Sequence, residues 1–125
     1  MKILIIDDDI SSGVTLKALL MSQDGLEIDI ANSGRDALKV LQNMNYSLLI
    51  LDVMMPDFSG LDFCRELNKD EKIKNTPIIL ASALPIASKE LADMMIEFKS
   101  LANIKGVLEK PFIMEKLLEE IKKIY

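Results

Sequence analysis

An α/β domain built on a parallel sheet is the fold class this sequence predicts. Two observations carry that expectation. Short apolar runs alternate with amphipathic stretches along the whole chain, five of each. The central runs are continuously apolar, as strands buried on both faces must be. A third observation points to function, because polar and charged residues stand at the carboxyl end of nearly every run, where open α/β sheets place their binding crevice.

The elements follow in order. "ILII" (3–6) is a buried strand that runs straight into Asp7, Asp8 and Asp9. "LEIDI" (26–30) alternates and predicts an edge or half-exposed strand. "YSLLIL" (46–51) and "PIILAS" (77–82) are buried strands, the second with Pro77 at its start, where a missing N–H is tolerated. "KGVLE" (105–109) is a weaker fifth.

Between them, residues 10–22 form a helix whose broad apolar face combines Ile10, Val14, Leu16, Leu19 and Leu20, with Ser11 or Ser12 as its cap. Residues 33–43 follow a Ser33 cap and repeat Ala37, Leu38 and Leu41. Residues 59–69 open on Ser59 and Asp62, a capping-box spacing, and align Leu61, Cys64 and Leu67. Residues 86–99 repeat Leu91, Met94, Met95 and Phe98. Residues 112–125 repeat Leu117, Ile121 and Ile124, widened by Met114, Leu118 and Tyr125.

Composition narrows the function. The chain has 125 residues, 50% of them hydrophobic, which suits one domain with a real core. Twenty acidic residues against 15 basic ones give a net charge of −5, which argues against nucleic acid and favours basic or metal partners. Lone Cys64 cannot form an internal disulfide, as expected for a reducing cytoplasm, and reads as a small core residue. Nothing resembles a secretory leader, and no apolar run approaches the ~20 residues of a membrane helix. There is no histidine, so any metal must be held by oxygens. The eight methionines read mainly as core filler, except that Met54 and Met55 flank the acidic strand end and stand where a partner would brush them. Asp57 in "PDFSG" reads as a turn residue.

The strand ends have a joint chemical logic. The first delivers Asp7 and Asp8, the third Asp52, the fourth Ser82 and the fifth Lys110. Asp9 reads as an ordinary helix-entry residue. Carboxylates crowded at one sheet edge repel, and a hard divalent cation such as Mg²⁺ relieves that repulsion. A lysine ammonium and a hydroxyl suit phosphoryl oxygens, and a carboxylate can itself be a nucleophile. Such a set is suited to moving a phosphoryl group onto an aspartate.

"ILIIDDD", "LLILDVMMPDFSG", "PIILASA" and "LEKPF", in that order and spacing, resemble the receiver domain of two-component response regulators, over essentially the whole of residues 1–125. The resemblance implies a (βα)5 flavodoxin-like three-layer sandwich with strand order 2-1-3-4-5. It implies that Asp52 is the phosphoacceptor, that Asp8 binds Mg²⁺ directly and Asp7 through water, and that the main-chain carbonyl of Met54 is a further ligand. Ser82 matches the switch hydroxyl and Lys110 the phosphoryl-binding lysine. The Lys110–Pro111 bond is then a candidate for the cis form, against a base rate of ~5% for X–Pro bonds. The implied donor is a phosphohistidine on a sensor histidine kinase or a histidine phosphotransfer protein. A chain without histidine cannot be its own donor. The implied output is a changed affinity of the face formed by the fourth helix, the fifth strand and the fifth helix for a downstream protein, by a monomer or a phosphorylation-linked dimer, without direct nucleic-acid or membrane binding. The role is that of a phosphoacceptor regulator and not of an enzyme.

Three departures from that family pattern stand out. Val107 occupies the position, three before the lysine, where the family often has an aromatic ring. Ser82 and Lys110 are 28 residues apart, longer than a compact member needs, with the excess in the fourth helix or its loops. Met54 and Leu84, two beyond Asp52 and Ser82, offer no polar group to assist an attacking water, which implies a long-lived phosphoryl group. Other functions remain. A receiver-like docking module that ignores phosphorylation is compatible with Val107. A flavin carrier would need a phosphate cradle where three aspartates stand, and an aspartate-nucleophile phosphatase would need an acid at position 54, which is methionine.

Overall fold

The computed structural model describes residues 1–125. Five strands and five helices alternate without exception: β1 (Lys2–Ile6), α1 (Ile10–Met21), β2 (Glu27–Ala31), α2 (Gly34–Leu41), β3 (Leu48–Asp52), α3 (Gly60–Asn68), β4 (Pro77–Ser82), α4 (Lys89–Leu101), β5 (Asn103–Glu109) and α5 (Met114–Ile124). The strands form one parallel sheet in the order β2-β1-β3-β4-β5. This is the three-layer flavodoxin-like arrangement that the strand pattern and the resemblance imply. No helix is long and apolar enough to cross a membrane.

Alternation along each strand sorts the core into two layers. Leu4, Ile6, Leu49, Leu51, Ile78 and Leu80 point to the side covered by α2, α3 and α4, where they meet Ala37, Phe63 and Phe98. Ile3, Ile5, Leu48, Ile50 and Ile79 point to the side of α1 and α5 and meet Leu20, Leu117 and Ile121. β1, β3 and β4 are inaccessible on both faces, which is why their sequences are unbroken apolar runs. β2, as its alternation predicts, is an edge strand.

Local chemistry sets the helix entries. Ser33 accepts the N–H of Asp36 and caps α2. Ser59 and Asp62 form the full reciprocal capping box of α3. Ser88 caps α4 by accepting the N–H of Leu91. α1 opens on Asp9, the helix-entry residue that the sequence predicts, but its cap is not Ser11 or Ser12. Its cap is Asp9, whose carboxylate accepts the Ser12 N–H at 3.3 Å and the Ser12 hydroxyl at 3.0 Å, so Ser11 and Ser12 lie inside the first turn. An ionised carboxylate at that point also meets the positive end of the helix, and it outcompetes a neutral hydroxyl.

Other boundaries and burials also correct the sequence pattern. The broad face expected for α1 is mostly exposed: Ile10 is 62% and Val14 55% accessible, Leu19 is exposed as well, Leu16 is partly buried, and of that set only Leu20 is buried. A helix whose apolar residues are spread round its circumference, as in α1, carries no periodic signal saying which side faces the sheet. α4 starts at Lys89, because Pro85 and the Ser88 cap hold residues 83–88 as a loop, and it extends to Leu101. β5 begins at Asn103, with a register shift opposite Ile78 and Ile79 that inserts Lys105 as a bulge. The long Ser82–Lys110 interval is therefore divided between a loop, a 13-residue helix and that bulge. Met55 is buried in the core, not poised toward a partner. Met1, Met21, Met44 and Met54 are exposed, so core filling accounts for fewer methionines than expected. Tyr125 is largely exposed, its hydroxyl donating to the carbonyl of Ser47. Leu61, Met94, Met95 and Leu118 are partly buried against the two cores.

Candidate phosphoacceptor site at the carboxyl edge of the sheet

The register places the strand ends side by side. Ile6 of β1 pairs with Leu51 of β3, so Asp7 and Asp52 leave adjacent strands at one level. Asp52 pairs with Ala81 of β4, and Ser82 with Glu109 of β5, next to Lys110. By alternation Asp7 and Asp52 lie on the α1–α5 side of the sheet, and Ser82 on the α4 side.

Carboxylate oxygens of Asp7, Asp8 and Asp52 lie within 4.8 Å of one another. Asp7 and Asp52 are buried, whereas Asp8 is exposed at the mouth. Lys110 reaches across from β5, its Nζ 3.0 Å from Asp7 Oδ2 and 3.5 Å from Asp52 Oδ1. Backbone amides complete the frame: Asp9 N–H donates to Asp7 Oδ1 at 2.9 Å and Met54 N–H to Asp52 Oδ1 at 3.3 Å. One ammonium among three carboxylates leaves the cluster short of positive charge. Burial pushes the Asp52 carboxyl up to about 6, with Asp7 adding to the rise and Lys110 opposing it. For Lys110, burial disfavours the charge, but Asp7 and Asp52 outweigh burial and hold its pKa above the usual lysine value. An oxygen-only, anionic donor set of this kind suits a hard cation such as Mg²⁺.

The segment after Asp52 is shaped by two tight contacts. Gly60, at the start of α3, sits where a Cβ would come within 2.9 Å of the Asp52 carbonyl oxygen, so any side chain would push the helix off the strand. Asp57 adopts φ 66°, and the Phe58 N–H donates to the Pro56 carbonyl at 2.7 Å around it. It is the turn residue that "PDFSG" predicts, and Asp tolerates left-handed backbone better than most. The Lys110–Pro111 bond is cis, as the resemblance implies.

Ser82 is fully buried, with its hydroxyl turned onto the following loop: it accepts the Leu84 N–H and donates to the Leu84 carbonyl, both at 3.0 Å. Met54 is exposed beside the site. A cavity of about 560 Å³ opens from Asp7, Asp52 and Lys110 toward α1 and α5. Ser11, Ser12 and Thr15 line one wall and Phe112 the other, over a floor of Ile5 and Ile50. The sequence offered little signal for these lining residues, because Ser11 and Ser12 are read as cap candidates and Thr15 has no assigned role until the fold places them beside the acids.

Comparison with known proteins agrees with this geometry. Residues 3–122 match the response regulator receiver domain family. The chain is 33% identical over its full 125 residues to the chemotaxis protein CheY of Pseudomonas aeruginosa, covering 96% of that protein. It is 34% identical to response regulator MprA of Mycobacterium leprae, over 98% of this chain but only 50% of that longer protein. Among solved structures, CheY4 of Vibrio cholerae superposes with a TM-score of 0.85 at 31% identity, covering 99% of this chain and 98% of that one. Response regulator TrrA of Thermotoga maritima, solved in complex with Mg²⁺–BeF, superposes with a TM-score of 0.79 at 35% identity, again over 99% and 98% of the two chains. With the fold, the acid cluster and these likenesses in agreement, the chain belongs to the response regulator receiver domain family.

Proposed function

We propose that this receiver domain is a phosphorylation-driven switch whose phosphoacceptor is Asp52. The observation that carries this is the packing of Asp7, Asp8 and Asp52 within 4.8 Å beneath Lys110, at the carboxyl edge of a sheet that holds them rigidly. Asp7, Asp8, Asp52 and the main-chain carbonyl of Met54 would hold Mg²⁺. When bound, the ion supplies positive charge that lets an anionic phosphoryl group approach an anionic nucleophile. The TrrA complex with Mg²⁺–BeF supports that assignment by likeness.

The chain's own groups do the rest. An oxygen of ionised Asp52 attacks the phosphorus of a donor phosphohistidine, and the P–N bond breaks, returning its electrons to the imidazole. Lys110, already between Asp7 and Asp52, turns its ammonium to the incoming phosphoryl oxygens. Ser82 leaves Leu84 and donates its hydroxyl to another phosphoryl oxygen. That movement shifts the β4–α4 loop and with it the α4–β5–α5 face offered to a downstream protein.

Exposed Ile10, Val14, Leu19 and Met21 on α1, of which Leu19 lines the cavity, suit the apolar side of a helix on the donor protein, a sensor histidine kinase or a phosphotransfer protein. Met54 and Leu84 bring no acid or amide to orient a water, so the phosphoryl group on Asp52 is long-lived. A half-life of minutes or more is the expected result of timing its loss by intact mass, and one of seconds overturns it.

The central test is incubation with acetyl phosphate, with and without Mg²⁺, read by intact mass. The wild type gains one phosphoryl group only with Mg²⁺, and Asp52→Asn gains none. An adduct of equal yield on Asp52→Asn removes the assignment.

A further inference from the structure

β5 presents two side chains to the α4 side of the sheet beyond its bulge, Val107 and Glu109. Pairing sets Val107 beside Leu80 and Glu109 beside Ser82 on β4, so these four share one face. Val107 packs into the core there and has no ring to swing. Glu109 does something else. Its carboxylate accepts the N–H of Ile86, in the β4–α4 loop, at 2.8 Å.

That contact sits at a sensitive point. The Ser82 hydroxyl is engaged with both the N–H and the carbonyl of Leu84, two residues before Ile86. Pro85, between them, has no N–H to offer. The Ser88 N–H donates to the Pro85 carbonyl, and Ser88 then caps α4. Apart from Ser82 itself, Glu109 is thus the one side chain outside the loop that ties the backbone of residues 83–87.

We propose that Glu109 is a positioning residue of the switch: by holding the Ile86 amide, it keeps the β4–α4 loop in the turn that engages the Ser82 hydroxyl. Ser82 then reaches a phosphoryl group on Asp52 only when this tie yields, and its release is passed along the loop backbone to the cap of α4. The inference rests on the assignment of Asp52 and Ser82 made above. It gives the chain a route from Ser82 to α4 that needs no aromatic ring at position 107.

Two experiments decide it. In the first, amide hydrogen exchange is followed by NMR on the unphosphorylated wild type, Glu109→Ala and Glu109→Gln. Exchange at Leu84 and Ile86 rises about fivefold in Glu109→Ala, the factor that one hydrogen bond of ordinary net strength supplies. Glu109→Gln keeps an acceptor oxygen and stays near wild type. Unchanged exchange at Leu84 in Glu109→Ala, or equal acceleration in both variants, overturns the proposal. The second measures the rate of phosphorylation by acetyl phosphate in Glu109→Ala, Ser82→Ala and the double variant. Glu109→Ala is faster than wild type by a similar factor, and the gain disappears when Ser82 is absent. A gain that persists without Ser82 overturns the coupling. If none of these proteins accepts a phosphoryl group, the assignment of Asp52 fails, while the exchange at Leu84 still decides whether Glu109 holds the loop.

Discussion

α1 and α5 cover the same side of the sheet, yet they are built on opposite principles. α5 buries Leu117 and Ile121 and turns Glu115, Lys116, Glu119, Lys122 and Lys123 to water. α1 buries Leu20 and turns Ile10, Val14, Ala18 and Met21 outward, with Lys17 as its only charged side chain. Stability alone explains α5. It does not explain a helix that exposes an apolar surface beside an acidic cavity, and such surfaces mark partners. With the donor-docking role proposed for α1, the difference teaches how one layer of this domain would divide its work between holding the sheet and meeting another molecule.

The largest effect tests the holding half. Leu117→Ala should cost about 2–5 kcal/mol, the range for emptying a buried leucine site, while Val14→Ala should stay within about 0.5 kcal/mol. Urea unfolding of both variants checks this, and equal losses would break the contrast.

The next effect concerns the acid cluster beside α1. Asp52 has a folded-state pKa raised from 3.8 to about 6, so the fold favours its protonated form. Stability of the metal-free protein therefore falls as pH rises through the window from about 4 to about 6. A rise of that size corresponds to about 3 kcal/mol at most. Asp52→Asn lacks the fall, so it should exceed wild type by up to that amount at pH 7.5 and by little at pH 4. Paired urea titrations at the two pH values measure the difference, and a gap independent of pH would refute it. Mg²⁺ should close much of the gap at pH 7.5 by stabilising the ionised wild type.

The meeting half predicts a smaller effect. Val14→Lys should leave unfolding almost unchanged but slow phosphotransfer from a phosphohistidine donor protein about tenfold, as for an anchor in an interface. The rate with acetyl phosphate serves as the reference, since that donor needs no docking surface. Equal slowing with both donors would place the effect in the site, not on the helix. The smallest effects lie at the two helix entries. Asp9 caps α1, whereas Ile113 offers α5 no side-chain cap. Asp9→Ala should lose about 1 kcal/mol, and Ile113→Ser should gain up to about that amount, by thermal unfolding.

Much of this was legible because the relevant physics is local. A buried parallel strand needs an unbroken apolar run, so the cores of β1, β3 and β4 could be read directly, and the residues following them fell at one edge. Asp7, Asp8, Asp52, Ser82 and Lys110 were found in that way, and the fold brings their strand ends together. Three features resisted for physical reasons. The apolar residues of α1 spread round the helix instead of keeping to one side, so its inward face was unreadable. The bulge at Lys105 depends on how β4 and β5 pair, which no window of sequence contains. The bond from Glu109 to Ile86 joins residues 23 apart in sequence through an exposed carboxylate, and nothing in either segment announces it.

Cys64 has a consequence for how these ideas are tested. It is wholly enclosed in the core, and burial pushes its thiol up to about 12, so little reactive thiolate exists near neutral pH. The surface of the native protein is therefore silent toward maleimides and similar reagents. A cysteine introduced at Val14 or Ala87 would be the one sulfur that takes a dye or a spin label, with no need to remove the natural one. Movement of the loop, or burial of α1 against a partner, could then be watched from a single chosen point on an otherwise unaltered core.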